Sequence, residues 1–167
     1  FWEDALGTVA AKALALETEF QTEGRRGKVI FNVRIVPELD DQGKVTSFLS
    51  LSRDVTAYRH AEQNYQTLFR EMLDGFALHE IICNDKGEPI DYRFLAVNPA
   101  FEKMTGLSSL EIIGRTVLEI MPDTEKHWID TYGAVAISGA PVFFDNYSSV
   151  LEKHFEVTAY CPGSNQF

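Results

Sequence analysis

The sequence predicts an α+β protein built on antiparallel sheet. Its strands occur in pairs around short turns, and its helices are grouped between those pairs instead of alternating with single strands. Strands joined by tight turns pair antiparallel, and helices segregated from them are typical of the α+β class. A helix followed by a hairpin also occurs twice in the chain, which indicates a repeated unit of this class.

The two copies of this pattern resemble each other at a nearly constant offset. Residues 1–10 and residues 127–136 share Trp, Asp, Gly, Val and Ala in the same places, 126 residues apart. Further along, Phe31-Asn32-Val33 resembles Phe155-Glu156-Val157 at an offset of 124, which one small insertion in the hairpin explains. The chain is therefore predicted to contain parts of two related units, cut from a longer protein.

The first part is predicted to be the C-terminal half of one unit, residues 1–55. An Ala- and Leu-rich stretch favours a helix, and the apolar residues between Val29 and Ile35 alternate as a half-buried strand requires. Gly24-Arg25-Arg26-Gly27 and Asp40-Asp41-Gln42-Gly43 are turn sequences. The predicted elements are a helix at 2–16 and strands at 17–23, 28–37 and 45–53.

Most of a second unit is predicted for residues 74–167. Asn98-Pro99 is a good helix start, because Asn caps well and Pro needs no intrahelical N–H at the first position. Ser108-Ser109-Leu110-Glu111 predicts a capping box, and Asp123 or Thr124 is expected to cap a longer helix. The predicted elements are strands at 76–82 and 90–97, short helices from 98 to 106 and from 108 to 114, a helix at 125–138, and strands near 141–149 and 153–161.

Between them, residues 56–73 are predicted to be a signalling or linker helix. Its apolar residues are spaced three and four apart, which is the pattern of a coiled-coil seam about two heptads long. An amphipathic helix packed on its own domain's sheet is the alternative. The seam predicts a homodimer through this helix, formed by Tyr58, Ala61, Tyr65, Leu68 and Met72.

Charge and composition exclude several classes of function. The net charge is −10, and residues 64–167 alone carry 15 acidic and 7 basic residues. Such a surface repels phosphate, so neither nucleic-acid binding nor contact with anionic membranes is expected. No run of about 20 apolar residues and no signal peptide is present. Two unclustered cysteines, Cys83 and Cys161, indicate a cytoplasmic, reducing setting, although a membrane anchor outside this sequence is compatible with it.

Several short motifs resemble the PAS domain family. Residues Asn98 to Gly106, followed by Glu111-Ile112-Ile113-Gly114-Arg115, are similar to the family's N-x-A-F-x-x-x-T-G run and its E-x-I-G segment. Arg53-Asp54-Val55-Thr56 is similar to the triplet at which a PAS core ends and a signalling helix begins. Together these motifs cover nearly the whole chain in the family's order and spacing.

The resemblance implies a five-stranded antiparallel sheet, in the order 2-1-5-4-3, with short helices on one face above a pocket. It implies a sensory or regulatory module that binds a small ligand or partner and relays a signal to an output domain, within a protein such as a sensor histidine kinase or a diguanylate cyclase. A ligand-free dimerisation or scaffold module is the alternative. No nucleophile, base and oxyanion donors are assembled by any motif, so the chain itself is not expected to be an enzyme.

One departure from the family concerns the last strand. The second unit reaches Gln166-Phe167 where the family's central strand would begin, and the first unit lacks its first two strands. One hypothesis is that strand 45–53 fills the empty place, within one chain or by exchange between two chains. A simple sequence boundary is the other.

A pocket is expected in the second unit, because ligand sites combine apolar walls with a few polar groups. Ordinary core packing is the alternative for each of these side chains. The candidates that would line the pocket are Asn98, Phe101, Met104, Ile113, Val117, Ile120, Trp128, Tyr132, Phe144 and Tyr147.

The sequence implies no particular cofactor, metal or catalytic residue. His127 and His154, and more remotely His79, are the candidate axial ligands for haem, and His127 lies in the solvent-prone first turn of its helix. Tyr92-Arg93-Phe94-Leu95 has no cysteine beside it, which disfavours a flavin photosensor. Haem and flavin are therefore not expected, and the ligand is a small molecule of unknown identity.

Overall fold

A computed structural model describes residues 1–24 and 27–167 of the chain. They form two compact units, Phe1–Thr67 (unit 1) and Leu68–Phe167 (unit 2). Arg25 and Arg26, at the tip of the first predicted turn, lie outside the described residues. Within the described ranges, no helix is both long and apolar enough to cross a bilayer.

Unit 1 places one helix against a three-stranded antiparallel sheet in the order β1-β2-β3. Ala5 and Val9, one helical turn apart, pack on Val33 and Ile35, which point to the same face of β2, and all four are buried. The helix ends at Ala13, whose left-handed backbone (φ 51°) stops it before the predicted residue 16. The elements are α1 (Trp2–Lys12), β1 (Leu16–Gly24), β2 (Gly27–Leu39) and β3 (Val45–Asp54).

The next helix, α2 (Thr56–Glu71), is fixed to β2 at its start. The Asp54 carboxylate accepts a hydrogen bond from the Thr56 amide at 2.9 Å. Hydrogen bonding to the side chain of Thr56, and then to its amide, lowers the pKa of Asp54. The Thr56 hydroxyl accepts from the Ile30 amide at 2.8 Å, and the Val55 amide donates to the Ile30 carbonyl at 2.9 Å. The Asp54-Val55-Thr56 triplet therefore sets where the helix begins.

Unit 2 consists of two hairpins with four helices between them. The first hairpin pairs Ala77–Cys83 with Pro89–Val97, and the second pairs Val142–Ser148 with Lys153–Ala159. The elements are β4 (Ala77–Cys83), β5 (Pro89–Val97), α3 (Pro99–Thr105), α4 (Ser109–Ile112), α5 (Val117–Ile120), α6 (Lys126–Ser138), β6 (Val142–Ser148) and β7 (Lys153–Ala159).

The single five-stranded sheet that was expected is not formed. The described strands make separate sheets of three, two and two strands. On the free edge of β4, the His79 amide donates to the Phe167 carbonyl at 2.8 Å, and the Ile81 amide donates to the Asn165 carbonyl at 2.8 Å. Residues 165–167 thus lie beside β4, but this short stretch forms only an isolated bridge, so it does not join the two hairpins of unit 2 into one sheet.

Helix and hairpin follow each other in the same order in both units. β1 begins at Leu16 and β6 at Val142, which are 126 residues apart, like the matching Trp residues of the sequence repeat. Val9 of α1 and Val135 of α6, at the same offset, are both buried. The sequence repeat therefore corresponds to a repeated arrangement of elements.

Two predicted helix caps differ from the structure. Ser108 precedes α4 but makes no side-chain cap, because the Glu111 amide donates to the Ser108 backbone carbonyl at 2.9 Å. The Glu102 carboxylate accepts from the next amide, that of Ser109, at 2.5 Å. The reciprocal capping box lies at Thr116 and Glu119, at the start of α5. The longer helix α6 begins after Glu125, without a side-chain cap from Asp123 or Thr124.

Candidate functional site

Asn98 joins the start of α3 to the segment that follows α2. Its side-chain oxygen accepts from the amides of Phe76 and Phe101, both at 2.9 Å, and its side-chain nitrogen donates to the Asp74 carbonyl at 2.9 Å. Its backbone amide also donates to the Phe76 carbonyl at 3.0 Å. Asn98 is fully buried, and these bonds occupy its amide, so it holds the fold and has little capacity left for a ligand.

Gly75 permits the close contact between this segment and α3. A Cβ atom at Gly75 would lie 3.0 Å from the Met104 sulfur and 3.2 Å from the Phe101 Cα. A larger residue at this position would require Met104 or the α3 backbone to shift by a few tenths of an ångström. The segment 74–76 is therefore fixed to α3 by both hydrogen bonds and packing.

The interior of unit 2 contains a cluster of aromatic rings from the sheets and α6, which we call the aromatic cage. Ring centroids within it are 4.5 to 6.4 Å apart, the range in which aromatic pairs attract one another. Burial raises the pKa of both Tyr92 and Tyr132, so their phenols remain protonated at neutral pH. The cage consists of His79, Tyr92, Phe94, Trp128, Tyr132, Phe144 and Phe167.

His79 is the most unusual member of the cage. Only 8% of it is exposed, and its Nδ1 atom has no hydrogen-bond partner among the described residues. Desolvation lowers its pKa to about 3, so the imidazole is neutral at physiological pH. Its ring meets those of Tyr92 and Phe94 edge to face, each at 4.9 Å. A buried polar atom without a partner costs about 1–3 kcal/mol, and such atoms concentrate at functional sites.

Trp128 carries a second polar atom of this kind. The residue is 6% exposed, and its indole Nε1 has no hydrogen-bond partner in the described parts of the chain. Its ring lies 5.9 Å from Tyr132 and 5.5 Å from Phe144. Since Tyr132 also lies 6.4 Å from His79, the two unpartnered nitrogen atoms belong to one continuous cluster.

The structure brings some of the predicted pocket residues together and separates others. Trp128, Tyr132 and Phe144 are in the cage, while Phe101, Val117 and Ile120 pack in the adjoining core. Met104, Ile113 and Tyr147 are exposed, and Tyr147 pairs with the ring of His154 on β7. Whether any of them contacts a ligand stays a prediction.

Four cage residues were not among the predicted pocket residues. His79, Tyr92 and Phe94 lie on the first hairpin, and Phe167 lies beyond the last one. The period-two spacing of Tyr92 and Phe94 was a usable signal, because alternate residues of a strand share a face. His79 carried no such signal, since its surroundings come from three separate segments.

A concave feature of unit 2 is an open groove of about 380 Å³ on its helical side. Arg115 spans it, donating to the Glu119 carbonyl at 3.2 Å. The groove holds charged side chains and no member of the aromatic cage, so it is a separate surface. It is lined by Leu107, Glu111, Ile112, Arg115, Glu119 and Ile120.

The seam of α2 is exposed along its length. Tyr58, Tyr65 and Leu68 are 66%, 65% and 69% exposed, and α2 has no buried residue. Met72 and Ala61 are exposed as well. Whether the seam contacts a second copy of the chain stays a prediction.

The candidate metal and haem ligands lie apart from one another. Within the described ranges, no group of three His, Cys, Asp or Glu side chains could hold a metal ion. His127 is only half-buried, with its ring 5.1 Å from that of Trp128, and His154 is exposed on β7. The Cys83 and Cys161 thiols are free.

The fold and the cage together define an α+β domain with an aromatic interior beneath short helices. Residues 63–136 match the family model of the PAS domain. PAS domains are generally non-catalytic sensory or regulatory modules, so this class of function is supported for unit 2. No curated protein matches the chain.

Proposed function

We propose that this chain is a sensory module in which unit 2 binds a small molecule within the aromatic cage. The single observation that carries the proposal is the pair of buried nitrogen atoms, His79 Nδ1 and Trp128 Nε1, that have no partner among the described residues. Each would gain a hydrogen bond from a bound molecule, whereas in an ordinary core both would be a net cost.

The relay would run from the cage to α2. The signal reaches α3, whose start is joined through Asn98 to Asp74 and Phe76, directly after α2. A ligand that favours one arrangement of α3 would thereby bias the end of α2, provided that it binds two states with different affinity. In this scheme residues 1–55 are the C-terminal half of a preceding PAS unit, 56–73 the signalling helix and 74–167 the sensing unit.

We place the module in the cytoplasm, as the sensory part of a protein such as a histidine kinase or a diguanylate cyclase. Two free thiols and the net charge of −10 support this setting and argue against nucleic-acid or membrane contact. The output domain would lie outside the 167 residues.

The test is native mass spectrometry of the full chain, followed by identification of any small molecule released on denaturation. The matched variant combines His79→Phe with Trp128→Phe, which removes both nitrogen atoms and keeps aromatic rings in place. We expect a bound mass on the wild-type chain and none on the variant. A metabolite library that produces no binding to the folded wild-type chain would refute the proposal.

A second candidate function, a ligand-free dimerisation module, is favoured by one observation. The exposed seam of α2 has the spacing of a coiled coil, and an exposed apolar stripe of this kind is normally covered by a partner. Leu68→Glu should convert a dimer into a monomer in analytical ultracentrifugation, while Gln63→Glu, exposed and off the seam, should not. Equal masses for wild type and Leu68→Glu would count against dimerisation through α2, and exchange of strand 45–53 would then remain to be tested by the same method.

A further inference from the structure

The β6–β7 hairpin of unit 2 presents an acidic face to solvent. Phe144 of β6 belongs to the aromatic cage, so the alternate residues Phe143, Asp145 and Tyr147 point away from the cage. Phe143 is 68% exposed and Tyr147 is 44% exposed. Three exposed residues of β7 lie across from them on the same side. The acidic face consists of Phe143, Asp145, Tyr147, His154, Glu156 and Thr158.

Two carboxylates of the acidic face lie directly opposite each other. Asp145 pairs with Glu156 across the strands, and such neighbours on one face have Cβ atoms about 4.5–5.5 Å apart. Neither carboxylate forms an ion pair or a side-chain hydrogen bond with another described residue. Like charges in this position lower the stability of a hairpin. A cationic group placed between the two carboxylates would remove that repulsion.

The sheet of unit 1 presents a basic face on the side away from α1. Val33 and Ile35 of β2 pack against α1, so the residues that alternate with them point to the other side of the sheet. Leu49 and Leu51 of β3 lie on that other side and are 51% and 57% exposed. The basic face consists of Arg34, Val36, Leu49, Leu51 and Arg53.

The two arginines of the basic face are unpaired, like the two carboxylates of the acidic face. Arg34 and Arg53 are exposed diagonal neighbours on β2 and β3. Within the described ranges, neither forms an ion pair or a side-chain hydrogen bond. Glu17 lies opposite Arg34 on β1, but its carboxylate accepts a hydrogen bond from the Asn32 side chain at 3.2 Å. The basic face therefore offers two guanidinium groups beside two exposed leucines.

We propose that the acidic face of one copy of the chain binds the basic face of a second copy. Arginine pairs with carboxylates and stacks on aromatic rings, and the acidic face supplies two carboxylates flanked by Phe143 and Tyr147. The leucines of the basic face would cover these exposed rings. Five or six side chains on each copy make a small interface, so the association is weak and needs protein concentrations on the order of 100 µM. This contact is separate from the α2 seam.

The experiment reverses the charges of each face in a Leu68→Glu parent chain, in which association through α2 is removed. Arg34→Glu with Arg53→Glu makes both faces acidic, and Asp145→Lys with Glu156→Lys makes both faces basic. Each of these chains alone should self-associate at least about tenfold more weakly than the parent, because its two faces repel each other. An equimolar mixture of the two should recover the affinity of the parent within about threefold, since each chain supplies the charge that the other lacks. Sedimentation velocity at low ionic strength measures the affinities.

Two further variants separate the contact from net charge and from folding. Asp85→Lys with Asp123→Lys changes two exposed acids outside the acidic face, alters the net charge equally, and should associate no more weakly than the parent. Asp145→Asn with Glu156→Gln should weaken association about tenfold and raise the urea midpoint of unit 2, because it removes the like-charge pair. This neutral variant tests the acidic face even if a charge-reversed chain does not fold. Raising the salt concentration from about 50 mM to about 500 mM should weaken association of the parent as well.

Several results would overturn the proposal. One is a parent chain that stays monomeric at concentrations on the order of 100 µM. Another is a mixture of the two charge-reversed chains that associates no better than either chain alone. A third is the same loss of association in the Asp85 and Asp123 control, which would mean that only net charge matters. None of these results bears on ligand binding in the aromatic cage, which is tested separately.

Discussion

Replacing His79 with Phe should remove an acid sensitivity that is built into unit 2. Burial lowers the pKa of His79 to about 3, against 6.5 when the chain is unfolded. Between these two pKa values the unfolded chain binds a proton that the folded chain does not. The contribution of His79 to the free energy of unfolding is therefore fully present above pH 6.5 and is lost as the pH falls toward 3. Between pH 7 and pH 5 the loss from this one group is about 2 kcal/mol, at 1.36 kcal/mol per pH unit below 6.5.

The His79→Phe variant keeps a flat ring among its aromatic neighbours and has no proton to bind. Stability is measured by urea unfolding from pH 7 to pH 5, in a Trp2→Phe background so that Trp128 fluorescence reports unit 2 alone. We expect the pH dependence of the variant to be about 2 kcal/mol smaller than that of the parent. His154→Gln, which removes an exposed imidazole from β7, is the control and should behave like the parent.

A variant as acid-sensitive as the parent would refute the reasoning. It would mean that the imidazole reaches water or a partner in solution, and that it is not the isolated buried group seen among the cage rings. The same result would argue against the proposal that a ligand forms a hydrogen bond with His79 Nδ1.

Three further predictions test other contacts. Asn98→Ala should destabilise unit 2 by about 3 kcal/mol or more, since three side-chain hydrogen bonds are lost. The control Asn64→Ala, on exposed α2, should change the stability of unit 2 by less than about 0.5 kcal/mol. Urea unfolding followed by Trp128 fluorescence measures both. Gly133→Ala should be destabilising by about 1–3 kcal/mol in the same assay, because its Cβ would overlap the Pro89 ring. An unchanged unfolding midpoint would mean that the β4–β5 hairpin shifts to make room at no cost in stability. Thr56→Val should lower the stability of unit 1 by about 1–2 kcal/mol, read from Trp2 fluorescence in a Trp128→Phe background, and no loss would show that the Ile30 amide finds another acceptor.

The sequence predicted the local features of this fold well. Strand bounds agree with the structure within two residues at each end, because period-two alternation and turn residues are local signals. Asn98 caps α3 as predicted for the same reason, and the PAS resemblance is confirmed for residues 63–136. The Ser108 capping box was wrong because the Glu111 amide bonds to the backbone carbonyl of Ser108 and not to its hydroxyl, a choice that the residue types alone do not determine.

The candidate site could be predicted only in part. Trp128, Tyr132 and Phe144 lie on one helix and the following strand, where spacing is informative. The environment of His79 depends on rings from β5, α6 and Phe167, which only the folded chain brings together. The single five-stranded sheet was expected from resemblance, and a family pattern does not determine which hydrogen bonds one particular chain forms.

The close packing of Gly75 against α3 indicates where segments of this protein can be exchanged with those of another. Leu73 is 94% exposed, whereas the Asp74 carbonyl accepts a hydrogen bond from Asn98 and Gly75 packs against the Met104 sulfur. A chimera should therefore exchange helices up to Leu73 and retain everything from Asp74 onward. Residues inserted within α2 would turn the two ends of this helix relative to each other by about 100° each, which tests the proposed relay while everything from Asp74 onward is unchanged.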